Sequence, residues 1–209
     1  MFTPAQVPGI DHQSDFFRYG FFAQIDYRDN PRGPRSGGHY AVKYNHYNDQ
    51  NLGGFSFNRL DLEAKQFIPF FNKRRVVALR AKAALTDPTG ANVVPFYLMP
   101  TVGGSDDLRG FRRFRFSDSN MLVVNGEYRW EVFSGLDMAL FADGGKVFPR
   151  RSQLNFHDLE TSAGFGFRFN ARGNVFFRID VGFSREGAQV WFKFDNVFLE
   201  ERIRSSVFQ

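Results

Sequence analysis

Apolar and polar residues alternate along most of this chain with a period of two. In "NVFFRIDVGFS", Val175, Phe177, Ile179, Val181 and Phe183 fall on one face and Phe176, Arg178, Asp180, Gly182 and Ser184 on the other. "GFGFRFN" sets Phe165, Phe167 and Phe169 against Gly164, Gly166, Arg168 and Asn170. "VNGEYRWEV" sets Val124, Tyr128, Trp130 and Val132 against Asn125, Glu127, Arg129 and Glu131. "RLDLEAKQFI" and "VALRAKAAL" repeat the alternation, with Arg59, Asp61, Glu63, Lys65, Arg80 and Lys82 on the polar side. The pattern predicts about nine strands, near 16–28, 38–48, 55–69, 75–87, 120–133, 136–148, 160–171, 174–185 and 189–198. Turn-forming stretches separate them: "DNPRGPRSGG", "DQNLGG", "FFNKR", "FSGLD", "NARGN" and "REGAQ". No helical periodicity competes.

Strand length narrows the fold. Most of these segments run to about ten residues or more, against about five or six in soluble sheets. A tilted strand that crosses a bilayer needs about 9–11. The connections predicted at 88–119 and 149–159 are long and most others are short, as in an outer-membrane barrel. The two faces agree with this. One carries rings and branched aliphatics; the other carries both signs of charge together with glycines. A lipid-facing band around an enclosed polar lumen produces that division directly. The alternative is a soluble β-sandwich binding module, whose polar face would meet water and would be served by a plain mixture of Lys, Glu, Ser and Thr.

Composition then bounds the reading. The 209 residues suit one domain, and 28 of them are Phe, an unusual choice for a soluble core. There is no Cys, which removes disulfides and thiol chemistry. Mean hydropathy is −0.37, yet this does not argue against a barrel, because half of each barrel strand is polar. No run approaches the roughly 18 apolar residues of a membrane helix. "MFTPAQVPGIDHQSD" does not read as a signal peptide. The chain divides into an N-terminal extension (1–15), a barrel region (16–198) holding the 88–119 loop, and a tail (199–209).

The formal charge of +5 raises the question of an anionic partner, most sharply at "DDLRGFRRFRF", residues 106–116. Alternating Arg and Phe could stack on single-stranded nucleic acid. The cations are otherwise spread along the chain, however, and Asp106, Asp107 and Asp118 oppose a phosphate track, so no nucleic-acid partner is expected. His12, His39, His46 and His157 have no metal-ligand spacing. "GFGF" leads into a strand rather than a helix and is no dinucleotide loop. Ser105 lacks a nucleophile-elbow context. No catalytic residue, metal or cofactor is expected.

"GGSDDLRGFRRFRF" resembles the loop signature of the BamA/TamA-like barrel-assembly superfamily of outer-membrane proteins, the bacterial surface antigen family. Its core is Leu108, Arg109, Gly110 and Phe111. "FADGGKVF" supplies a Phe-x-Asp-x-Gly element (Phe141, Asp143, Gly145), "NGEYRW" an acidic residue (Glu127), and "GFGFR" a Gly-x-Gly-x-Arg element (Gly164, Gly166, Arg168). "DYRDNPRGPRSGGHY" is similar to a mid-barrel strand-turn-strand element. The resemblance covers about residues 16–198. It implies an all-β fold: a transmembrane antiparallel β-barrel in the bacterial outer membrane, of which the nine strands correspond to the C-terminal half of a sixteen-stranded barrel. It also implies that the loop folds into the lumen and that Arg109 meets Glu127 and Asp143. A guanidinium fork can serve both carboxylates, which would otherwise repel each other. Gly110 is expected to let the loop turn sharply, Gly145, Gly164 and Gly166 to leave room on the wall, and Phe111 and Phe141 to wedge the loop tip. Arg112, Arg113 and Arg115 are expected to pair with Asp61, Glu63 and Glu131.

The chain departs from the family in reading as a half without POTRA domains. It is thus expected to be a partial product, an excised piece or a short relative that closes alone or by self-association. The last strand, with Trp191, Phe192, Phe194 and Phe198, resembles the family's seam. The function this implies is assistance to the insertion or transport of other outer-membrane proteins without covalent chemistry. The partners implied are outer-membrane lipid, nascent outer-membrane proteins, and a missing N-terminal barrel half or a POTRA-containing protein. The alternative within the family is a passive barrel anchor of a truncated patatin-like or two-partner secretion transporter.

Overall fold

The computed structural model describes residues 8–11, 13–171 and 173–194. Nine strands form one antiparallel sheet in the order β1-β2-β3-β4-β7-β8-β9-β10-β11. They are β1 (Phe16–Asp26), β2 (Gly37–Asp49), β3 (Phe57–Phe70), β4 (Arg75–Pro88), β7 (Asn120–Phe133), β8 (Leu136–Phe148), β9 (Glu160–Ala171), β10 (Asn174–Ser184) and β11 (Gly187–Lys193). A two-stranded ribbon, β5 (Thr101–Val102) with β6 (Phe116–Ser117), lies within the β4–β7 connection. Apart from single 3₁₀ turns at Phe96–Leu98 and Arg151–Gln153, the described residues hold no helix. One sheet whose neighbours follow chain order is the up-and-down arrangement of a barrel, not the two packed sheets of a sandwich. Among the described residues β1 and β11 are its two ends.

The two faces of the sheet invert the usual rule of burial. Leu79, Leu140, Phe165, Phe183, Val190 and Phe192 project outward and are exposed. Arg109, Arg168, Arg178 and Asp180 are fully buried inside. Charges on the concave face and a continuous apolar outer band are what a sheet surrounded by hydrocarbon requires. Outward rings pack along and across strands: Tyr128 lies on Trp130 of the same strand at 5.7 Å, and Phe165 of β9 on Phe183 of β10 at 6.4 Å.

The interior is not uniformly polar. Near the long-loop end, Ala84, Met121 and Val123 point inward and form a fully apolar patch with Val102, Leu108 and Phe111 of the β4–β7 loop. Near the other end Phe67, Val76 and Ala78 form a second patch. Strict alternation also fails once. A bulge between Val175 and Phe177 in β10 turns Val175 into the interior and leaves Phe176 exposed, the reverse of the period-two assignment. An extra residue in one strand shifts every side chain before it to the other face.

The connections divide by end. The β3–β4, β7–β8 and β9–β10 turns lie at one end, and loops 50–56, 89–119 and 149–159 lie at the other. Residues 27–36 are the exception: this ten-residue β1–β2 loop sits among the short turns. Instead of projecting, it crosses the mouth of the curled sheet. Asn30 Nδ2 donates to the Gly173 carbonyl (2.9 Å) and to Asn174 Oδ1 (3.0 Å), and the Val175 N–H donates to the Arg32 carbonyl (3.3 Å).

Candidate functional site

The β4–β7 loop dips into the interior and returns. Gly103 and Gly104 have φ of 122° and 98°, a region open mainly to glycine, and they start the reversal. The Gly104 N–H is then shared between the carbonyls of Leu108 (3.2 Å) and Phe111 (3.1 Å), which closes residues 104–111 into a compact knuckle. Leu108 and Phe111 plug the apolar patch on β4 and β7. This burial drives the knuckle inward, and it carries Arg109 to the charged part of the wall.

Arg109 grips Asp143 on β8 with two parallel bonds from one edge of its guanidinium: Nε to Oδ2 at 3.0 Å and Nη2 to Oδ1 at 2.7 Å. The Arg109 N–H adds a third bond to Oδ2 at 3.1 Å. Asn125 Nδ2 and Ser162 Oγ complete the shell of that carboxylate at 2.9 and 3.3 Å. Nη1 of Arg109 reaches Glu127 Oε2 on β7 at 2.5 Å. The guanidinium lies 3.5 Å from the ring centroid of Phe141, so that ring forms the floor of the site. A buried cation is tolerated only where acceptors compensate it, and here neighbouring strands supply one to each of the three guanidinium nitrogens.

Glu127 is the hub. Besides Arg109 it accepts from Arg129 Nε (2.6 Å) and Arg168 Nη2 (2.9 Å). Arg168 passes the chain of charge to Asp180 (2.7 Å), which meets Arg178 (3.3 Å). Arg178 and Lys193 then hold Asp106 of the knuckle at 2.8 and 2.6 Å. On the opposite side Arg80 donates to the Asp106 carbonyl (2.6 Å) and to Glu63 (2.9 Å), and Glu63 also meets Lys65 (2.9 Å). The knuckle therefore touches ions from β4, β7, β8, β10 and β11.

Glycines set how closely it docks. Gly110 has no positive φ, so a sharp turn is not what requires glycine there. Space is: a Cβ at Gly110 would lie 2.6 Å from Ser162 Cβ and 2.8 Å from the Phe183 carbonyl oxygen. At Gly164 it would lie 2.6 Å from Phe141 Cζ, and at Gly166 2.7 Å from Arg168 Nη1. At Gly145 the nearest loop atom would be Val102 Cγ1 at 3.2 Å. Phe141 supports the arginine rather than the loop tip, while Phe111 is the apolar wedge.

Other expectations are corrected. Arg115 pairs with Glu186 of the β10–β11 turn (2.9 Å), and Arg113 lies over the Trp191 ring (5.8 Å). Neither reaches Asp61, Glu63 or Glu131, whose cations are Arg59, then Lys65 and Arg80, then Arg74. Arg112 is exposed at the surface of the loop. Cations of the strands and of the β3–β4 turn engage those acids instead. On β11, Phe192 faces outward, whereas Trp191 faces inward and donates Nε1–H to the Arg109 carbonyl at 2.7 Å. Phe194 follows the end of the strand, and Phe198 lies outside the described residues. Trp191 was expected in the seam strand but not as a donor to the loop, and Arg129, Arg178, Asp180 and Asp106 were not singled out as site residues. The inward register of Arg129, Arg178 and Asp180 was the available signal.

Outside the spanning strands, Asp29 in the 27–36 loop has a perturbed carboxyl. Burial pushes it up, but the Lys73 ammonium and the N–H groups of Arg35 and Ser36 outweigh this and hold its pKa at about 2.

A curled antiparallel sheet with an apolar outer band, an ionic interior and a basic loop drawn inside is a transmembrane β-barrel of the outer-membrane class. A family model described as the Omp85 superfamily domain matches residues 9–194, and the chain belongs to that superfamily. Among solved structures it is similar to BamA from Haemophilus ducreyi lacking POTRA domains 1–3, with a TM-score of 0.68 and 15% identity. That likeness is one of fold. It covers 84% of this chain and 41% of the other, so the chain spans less than half of that structure. No curated protein matches the sequence.

Proposed function

We propose that the chain assists the insertion or transport of other outer-membrane proteins, with β11 as the strand on which a client pairs, and without covalent chemistry. The observation that supports this reading is a single hydrogen bond. Trp191 of β11, at the end of the sheet, donates to the Arg109 carbonyl at 2.7 Å. The far side of β11 offers backbone N–H and C=O groups that a further strand can use, the mode of recognition known as β-augmentation. The Trp191 bond ties that edge to the docked loop, so a strand arriving at β11 meets a wall held in place from within. Its outward Val190 and Phe192 continue the lipid-facing band, which admits a membrane strand as a neighbour.

The test uses the absence of cysteine. A Phe192→Cys variant in liposomes is mixed with an unfolded outer-membrane protein that carries single cysteines along its terminal strand. The proposed function gives register-dependent disulfide trapping at Phe192→Cys and faster client folding than protein-free liposomes support. A client that folds no faster and is trapped equally at an outward control such as Leu140→Cys selects the passive-anchor reading instead.

A further inference from the structure

The 27–36 loop has the contacts of a second strap. It enters from the end opposite the Arg109 loop and closes the short-turn mouth. Arg35 Nη2 forks Asp137 of β8 at 2.8 and 2.7 Å, and its Nη1 donates to the Lys73 carbonyl at 2.8 Å. Lys73 returns to Asp29 at 2.9 Å. With Asn30 on the β9–β10 turn, the loop is thus tied to three separate turns or strands across the opening. A small void lies behind it, between Gly33, Pro34, Val76, Arg129, Asp137 and Val175.

The two straps share a joint. The buried Pro34 carbonyl accepts from Arg129 Nη1 at 3.4 Å. Arg129 Nε donates to one oxygen of Glu127 at 2.6 Å, and the other oxygen of Glu127 accepts from Arg109 at 2.5 Å. One carboxylate and one guanidinium therefore separate the two loops. Dry surroundings strengthen every ion pair in this relay, because Coulomb energy scales inversely with the local dielectric. When the 27–36 loop leaves, water reaches Arg129 and Glu127 first. The Arg109 pair is then weakened from below although no contact of its own has been removed.

We propose that the 27–36 loop is a latch on the Arg109 loop, and that the two loops are released together through Arg129 and Glu127. The coupling is reciprocal, as thermodynamic linkage requires. It concerns the state of the lumen and holds whether or not β11 receives clients.

The experiment reads the upper loop while the lower one is perturbed. Ser105 is buried in the knuckle and makes no side-chain hydrogen bond, so Ser105→Cys is a near-isosteric reporter and the only thiol in the chain. Its labelling by a water-soluble maleimide is followed in folded, micelle-bound protein with and without Arg35→Ala. Tryptic cleavage after Arg32 reports release of the lower loop. The expected result is faster cleavage at Arg32 together with labelling accelerated about tenfold or more, within the range of a typical coupling free energy. In an Arg129→Met background, Arg35→Ala should then change labelling by less than about twofold. Faster cleavage with unchanged labelling overturns the coupling. Accelerated labelling that persists in the Arg129→Met background overturns the route. Unchanged cleavage at Arg32 overturns the strap itself.

Discussion

Arg109 and Asp143 form a two-pronged pair at 3.0 and 2.7 Å, sealed from solvent, between a loop and a wall separated by 34 residues of sequence. Every other element of the site is arranged around this contact: Phe141 below it, Glu127 beside it, and Trp191 on the carbonyl of the same arginine. Removing one partner leaves a buried, uncompensated charge. Arg109→Met should therefore lower unfolding stability in micelles by about 3–5 kcal/mol. In a double-mutant cycle with Asp143→Asn the two losses should be strongly non-additive, by at least about 1 kcal/mol. Arg109→Lys should behave more like the methionine variant than like wild type, since an ammonium cannot fork two carboxylates.

Docking of the knuckle depends on missing side-chain volume at Gly110. Gly110→Ala should displace the loop rather than unfold the sheet, at a cost of about 1–3 kcal/mol. Limited trypsin treatment checks this. Cleavage after Arg112 and Arg113 should accelerate, while the strands stay protected and the far-ultraviolet circular dichroism is unchanged.

How much of this could be read beforehand depended on whether a contact was local to the sheet. Period two was enough to set Glu127, Asp143 and Arg168 on one face, because neighbouring antiparallel strands bring same-face residues together without further information. It could not say where Arg112, Arg113 and Arg115 would end. The loop meets a wall whose acids are already engaged by Lys65, Arg80 and Arg74, and that competition exists only once the sheet has curled. The β10 bulge reversed Val175 and Phe176, and nothing in "NVFFRID" marks it. The 27–36 stretch read as turn chemistry, which it is. Its crossing of the mouth depends on sheet curvature that no local pattern encodes.

Asp29 gives the lower loop a signed pH dependence. Its carboxyl sits at about 2 when folded against 3.8 unperturbed, so the loop gains stability from this group above the higher value. That gain is lost as pH falls through about 2, when the carboxylate facing Lys73 is protonated. The difference in thermal midpoint between wild type and Asp29→Asn should be constant above pH 4 and shrink between about pH 4 and pH 2. A difference that is constant down to pH 2 removes the Lys73 contact from the account.

Trp191→Phe keeps an aromatic ring and deletes the donor. The Arg109 carbonyl is then left without that partner, at a cost of about 1–3 kcal/mol. Because the bond joins β11 to the knuckle, the variant should also raise tryptic cleavage after Arg113, whose guanidinium lies over the same ring.

The central claim is one of orientation: rings outward to hydrocarbon, ions and the knuckle inward. The chain contains two tryptophans, and the structure sets them on opposite faces, Trp130 outward beside Tyr128 and Trp191 inward on the Arg109 carbonyl. Fluorescence quenching by brominated phospholipid in single-tryptophan variants separates them. With Trp191→Phe, the remaining Trp130 should be strongly quenched; with Trp130→Phe, the remaining Trp191 should be nearly insensitive to the lipid bromine. Equal quenching of both, or quenching of Trp191 alone, contradicts the account.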